Sequence, residues 1–141
     1  RDKDISTMLV GGFPSGVQRQ SKWVKDWKKL FFMIEPSRST LCFNWKDPTA
    51  TTSRYPEALS VGIVPFVWKE YDINNTYLID DFQRVNSFEE LKEKVILLRN
   101  HDFFEKKIQL YCENYSKVLL SKEKYFELFS EKMDLGVDNA P

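Results

Sequence analysis

Apolar residues along this chain fall into two patterns, and the switch between them predicts the elements. Short continuous runs rich in branched and aromatic residues read as buried strands. They occur at Ile5 to Val10, Thr40 to Asn44 and Ile63 to Trp68, with a briefer one at Tyr77 to Ile79. Leu30 to Ile34 reads either as a strand or as the end of the helix before it. Apolar residues spaced three or four apart read as helix faces. Trp23, Val24, Trp27 and Leu30 give such a face to Val17–Leu30, and a short helix is expected at Glu57 to Val61. Phe88, Leu91, Val95 and Leu98 form a stripe behind Ser87, a good N-cap with Glu90 placed for a capping box. That helix should end near Arg99-Asn100. The next one opens at His101 and Asp102 and turns Phe103, Phe104, Ile108, Tyr111, Tyr115 and Val118 to one side. A last helix is expected from Ser121 to Met133, with Tyr125, Phe126, Leu128 and Phe129 inside, before a polar tail.

The middle of this series has the rhythm strand, loop, short helix, strand, which is that of a parallel α/β layer. The predicted class is therefore α/β: a Rossmann-like parallel sheet with flanking helices, followed by three C-terminal helices. Residues 1–133 make one domain and 134–141 the tail. Ligands of such sheets gather at the C-terminal ends of the strands, where Asn44 to Arg54 is expected to lie. Pro56 suits the first turn of a helix and Gly62 its C-terminal break. Arg54 and Glu57, three apart, then face the same way.

Composition agrees with a folded domain, because 42% of the 141 residues are apolar and 15% aromatic. The 21 basic and 21 acidic residues balance, so no field of the whole domain draws it to nucleic acid. A local basic patch remains. Arg19, Lys22, Lys25, Lys28 and Lys29 oppose only Asp26 on the first predicted helix. That face can contact phosphate, or it can be a solvated lysine surface over a tryptophan contact. No run approaches a bilayer span and no signal peptide is visible, so a cytoplasmic chain without a membrane partner is expected. The initial Arg1, in place of Met, leads to the expectation of processing or of a piece of a longer chain.

Few residues offer chemistry. One histidine and two distant cysteines give no usual metal-ligand set, and Cys42 and Cys112 are expected to be reduced thiols. Gly11-Gly12-Phe13-Pro14-Ser15-Gly16 is a turn-forming loop and neither dinucleotide fingerprint nor Walker A loop. Asn74-Asn75-Thr76 and Asn114-Tyr115-Ser116 match glycosylation acceptors, a pattern that chance also produces. Asp47, Glu57, Glu70 and Asp72 are carboxylates in loops or at the helix start. Arg54 and Glu57 stand out among the candidates. Arginine is a forked donor for phosphate, and a glutamate accepts from a vicinal diol such as ribose. The plainer reading is a surface ion pair worth about 0.2–0.5 kcal/mol.

The run from Ser53 to Val67 also carries a resemblance. Glu57-Ala58, Gly62 and Pro65 resemble the Glu-Ala…Gly-x-x-Pro signature of the donor-binding domain of GT-B-fold nucleotide-sugar glycosyltransferases. Gly62-Ile63-Val64-Pro65-Phe66-Val67-Trp68-Lys69 is similar to the bacteriophage enzymes that glucosylate hydroxymethylcytosine in DNA. The likeness extends over roughly residues 40–130, including Asp80-Asp81 and the Ser87-Phe88-Glu89-Glu90-Leu91 helix start. Where many retaining members have a second glutamate, this chain has Thr49, and Pro48 to Ser53 replaces a glycine-rich turn. The resemblance implies one half of a GT-B fold and a nucleotide-sugar donor such as UDP-glucose, with no tightly bound cofactor and no metal. Glu57 would hold the ribose and Arg54 the diphosphate, with Thr52 and Ser53 beside them. The acceptor-binding domain would come from the same longer chain or a partner subunit, and catalysis would require it. A non-catalytic interaction module and a nucleic-acid-binding domain are the alternatives.

Overall fold

A computed structural model describes residues 9–10, 21–22, 26, 28–29, 36–44, 47–119, 124 and 126–131. Its centre is a three-stranded parallel sheet flanked by helices, a Rossmann-like α/β arrangement. Two short strands, β1 (Leu9–Val10) and β2 (Ser21–Lys22), pair in parallel by themselves. β3 (Ser39–Cys42), β4 (Val64–Trp68) and β5 (Arg84–Val85) form the main sheet in that order. Helix α1 (Arg54–Ser60) joins β3 to β4, and α2 (Phe88–Leu97) and α3 (His101–Val118) follow β5.

β4 is the middle strand, and Val64, Pro65, Phe66 and Val67 are all buried on it. A parallel strand covered on both faces needs that continuous apolar run. Its proline would break a ladder on a fully paired strand. Here β5 meets β4 only at Val67 and Trp68, so the side of Pro65 without a ladder partner is met by a side chain, Gln83, whose Nε2 donates to Pro65 O at 2.9 Å.

α1 lays Tyr55, Ala58 and Leu59 onto the sheet. It begins one turn before the expected Glu57, with Pro56 inside its first turn. At its other end Gly62 donates to Leu59 O (3.0 Å) and Ile63 to Ala58 O (2.9 Å). This pair of bonds is a Schellman motif, and it needs the positive φ of 71° that Gly62 adopts. Tyr55, Tyr77 and Tyr115 then pack ring against ring, with centroids 5.2–6.2 Å apart.

Several expectations change. Tyr77 to Ile79 is no strand. Asp72 accepts from the backbone N–H groups of Thr76 and Tyr77, and Asn75 Oδ1 accepts from that of Ile79, so side chains take donors a sheet would have used. The third strand is Arg84–Val85, after a 3₁₀ turn at Asp81–Gln83 closed by a capping box between Asp80 and Gln83. Before α2, Ser87 Oγ accepts from Glu90 N–H, but the Glu90 carboxylate returns to Asn86 N–H rather than to Ser87. Phe88 leaves the expected stripe: it is 64% exposed and packs on Trp68 at 5.4 Å. Leu98 is buried, with Leu91 and Val95 half-buried against the core.

Residues 126–131 are helical as expected, but Phe126, Leu128 and Phe129 are exposed rather than inside. Tyr125 lies outside the described residues. Ser21–Lys22 is strand where a helix from Val17 is expected, because the apolar spacing begins only at Trp23 and leaves these two residues free to pair. Lys28 and Lys29 are helical and exposed. Arg19, Lys25 and the apolar members of that stripe, like the Gly11–Gly16 loop and Leu30 to Ile34, lie outside the described residues.

Candidate functional site

Parallel strands end together, so the segments after β3 and β4 meet at one edge of the sheet. Three contacts fix the meeting. Ile73 N–H donates to Pro48 O at 2.9 Å, Thr52 N–H donates to Tyr71 Oη at 2.8 Å, and the Thr52 hydroxyl lies 3.2 Å from the same oxygen. The β3 segment is also braced internally. Asp47 accepts from both the backbone and the hydroxyl of Thr49 (2.9 and 2.6 Å), which lowers its carboxyl pKa. Asn44 Nδ2 donates to Ala50 O at 3.0 Å. The sequence from Pro48 to Ser53 lacks glycine, and these side-chain bonds shape the turn.

The β4 segment is held from below by Arg84. Its guanidinium donates to Tyr71 O (2.7 Å), Asp72 O (3.0 Å) and Asn75 Oδ1 (3.3 Å). Asp72, fully buried at a φ of 47°, uses its carboxylate on the loop backbone and is therefore a structural group. Tyr71 is 1% exposed, and burial raises its hydroxyl pKa, so it stays a neutral phenol anchoring Thr52. Neither Tyr71 nor Arg84 carries a sequence signal of this role. The Asn74-Asn75 turn is the one hint, since it marks a loop whose side chains bond the backbone.

Arg54 and Glu57 emerge on the first turn of α1, beside this junction. Arg54 Nη1 lies 3.5 Å from Glu57 Oε2, with the two side chains 65% and 32% exposed. The expected shared face is therefore present. Ser53 holds the N-cap position in helical geometry and makes no capping bond through its side chain. Thr52 faces inward to Tyr71. Cys42, at the end of β3, feels both charges of the pair, yet burial dominates and pushes its thiol up to about 12. It is a neutral packing group. Cys112 is an exposed free thiol on α3.

Of the loop carboxylates, Asp47 and Asp72 are engaged by backbone, while Glu70 is exposed and 3.6 Å from Lys69. Among the described residues no group of three or more His, Cys, Asp or Glu side chains could hold a metal ion. Among them, too, no helix is long and apolar enough to cross a membrane. Of the basic residues that are described, Lys22 is in β2, and Lys28 and Lys29 are in a helical turn whose Lys28 N–H bonds Asp26. Protein-family models, curated proteins and solved structures give no match to this chain.

Proposed function

We propose that this domain binds a nucleotide-sugar donor, as the donor-binding half of a GT-B-fold glycosyltransferase. The observation that carries the reading is the setting of the signature residues. Glu57 and Arg54 lie in the first turn of a helix between parallel strands, and the Gly62 and Pro65 that follow occupy the helix stop and the buried strand. Glu57 would accept from the two ribose hydroxyls, and Arg54 would pair with the diphosphate. Their mutual bond is long and solvent-screened, so a ligand displaces it at a cost of about 0.5 kcal/mol. Ser53 adds a hydroxyl at the rim, and Thr52 positions the loop through Tyr71. With a hexose in transit, Arg54 would also stabilise charge on the departing nucleotide. An acceptor-binding domain, in the same longer chain or in a partner subunit, would supply the acceptor. Should that acceptor be modified DNA, Arg19, Lys22, Lys25, Lys28 and Lys29 are the residues to meet its phosphates.

Calorimetric titration with UDP, UDP-glucose and other nucleotide sugars tests the reading. Binding is expected for the wild type, weakened roughly ten- to a hundredfold in Glu57→Ala and Arg54→Ala, as for loss of a charged hydrogen bond. Failure of every nucleotide sugar to bind would remove it.

A second reading, a non-catalytic interaction module, draws on the exposed Leu119, Phe126, Leu128 and Phe129. It predicts a stable complex with a protein partner in the absence of nucleotide. Sugar transfer by the domain together with its acceptor half would reject it.

A further inference from the structure

We propose that the depression at the C-terminal end of β4, bounded by Phe43, Asn44, Trp68, Glu70 and Tyr71, binds a saccharide ring. Its volume of about 300 Å³ is at the lower end of small-ligand sites. One wall is aromatic. Phe43 and Trp68 lie 6.2 Å apart between ring centroids, and Phe88 continues the row at 5.4 Å from Trp68. Phe43 and Phe88 are 39% and 64% exposed. Glu70, whose side chain is 55% exposed, also borders the depression. Glu70 sits in a tight turn in which Tyr71 N–H donates to Trp68 O at 2.8 Å. Tyr71, buried and anchored on Thr52, borders it as well.

This combination selects a class of ligand. A pyranose presents an apolar C–H face and a rim of hydroxyl donors, which match an aromatic wall and a carboxylate acceptor. Lys69 Nζ lies 3.6 Å from the Glu70 carboxylate. The site uses neither Arg54 nor Glu57, although Tyr71 also anchors the Thr52 segment beside them.

The test is a set of NMR titrations without nucleotide, using methyl glucoside, maltotriose and cellotriose as probes. At least one is expected to shift Trp68 and Glu70 resonances. Phe43→Ala and Glu70→Gln, both substitutions at exposed positions, are each expected to weaken that binding at least tenfold. Parallel UDP titrations of Phe43→Ala separate the two ideas, because nucleotide binding is expected to be unchanged. No response to any of the three saccharides would overturn the proposal. So would equal binding by wild type, Phe43→Ala and Glu70→Gln, or displacement of the bound saccharide by uridine.

Discussion

Tyr55 and Gln83 meet in the core although they stand 28 positions apart, the tyrosine hydroxyl lying 3.1 Å from Gln83 Oε1 and 3.0 Å from Nε2. Gln83 also donates to Pro65 O and accepts from Asp80 N–H, so one amide ties α1, β4 and the 3₁₀ turn together. Buried polar groups are tolerated when every partner is present, and this cluster leaves none of its side-chain atoms unpaired. An asymmetry follows. Gln83→Leu strands the Pro65 carbonyl, the Asp80 N–H and the Tyr55 hydroxyl together, and is expected to cost about 2–4 kcal/mol. Tyr55→Phe leaves Gln83 two partners and is expected to cost about 1 kcal/mol. Urea unfolding of both variants checks the order; equal losses would mean the cluster is not organised around the glutamine.

Gly62→Ala probes the helix stop. An added Cβ would meet nothing within 4 Å, so the effect isolates backbone strain at a φ of 71°. About 1–2 kcal/mol of destabilisation is expected. Thermal melts measure it, and Gly62→Asn, which tolerates the left-handed region better, should recover part of the loss.

Glu90 gives the domain a pH signature at the start of α2. The Lys94 ammonium, 2.7 Å away, and the Asn86 N–H hold its carboxyl down at about 2 from an ordinary 4.5. A group whose pKa is lower in the folded state stabilises above its unfolded pKa and loses that contribution as pH falls. Wild type is therefore expected to exceed Glu90→Gln by about 0.5–1 kcal/mol at pH 7. The gap should close between about pH 4.5 and pH 2, as melts in that range will show. A gap independent of pH would point to packing instead.

The two thiols should differ in reactivity. Cys42 is 2% exposed and its thiol is held protonated by burial, while Cys112 is exposed. At pH 8 a thiol-specific reagent is expected to modify one cysteine per native chain and both after unfolding. Peptide mapping should find the native label on Cys112. Labelling of Cys42 at a comparable rate would show that the β3 end opens.

The sequence is most readable where independent signals coincide. From Thr40 to Trp68 an apolar strand, a proline in a first turn, a glycine stop and a second apolar run agree, and the structure has β3, α1 and β4 there. The candidate pair was legible for the same reason, since its spacing alone puts Arg54 and Glu57 on one helical face. Legibility fails where tertiary partners decide. β5 is two residues long and has no period to detect. Tyr77-Leu78-Ile79 has strand composition, yet Leu78 sits at a φ of 52° because Asp72 and Asn75 bind the backbone around it. Phe88 fits the spacing of α2 but belongs to the aromatic row at the sheet edge. Tyr71 and Arg84 support the site through contacts 19 and 13 positions away, respectively, which no local pattern records.

The order β3-β4-β5 has a consequence for how the sheet is made. Each strand lies beside the one synthesised just before it, and the paired residues are roughly 25 and 17 positions apart. Loops of that length close at little entropic cost compared with pairing distant ends of a chain. The sheet can therefore grow in the direction of translation, β3 and α1 offering a template to β4 and then β4 to β5, before the last helices leave the ribosome.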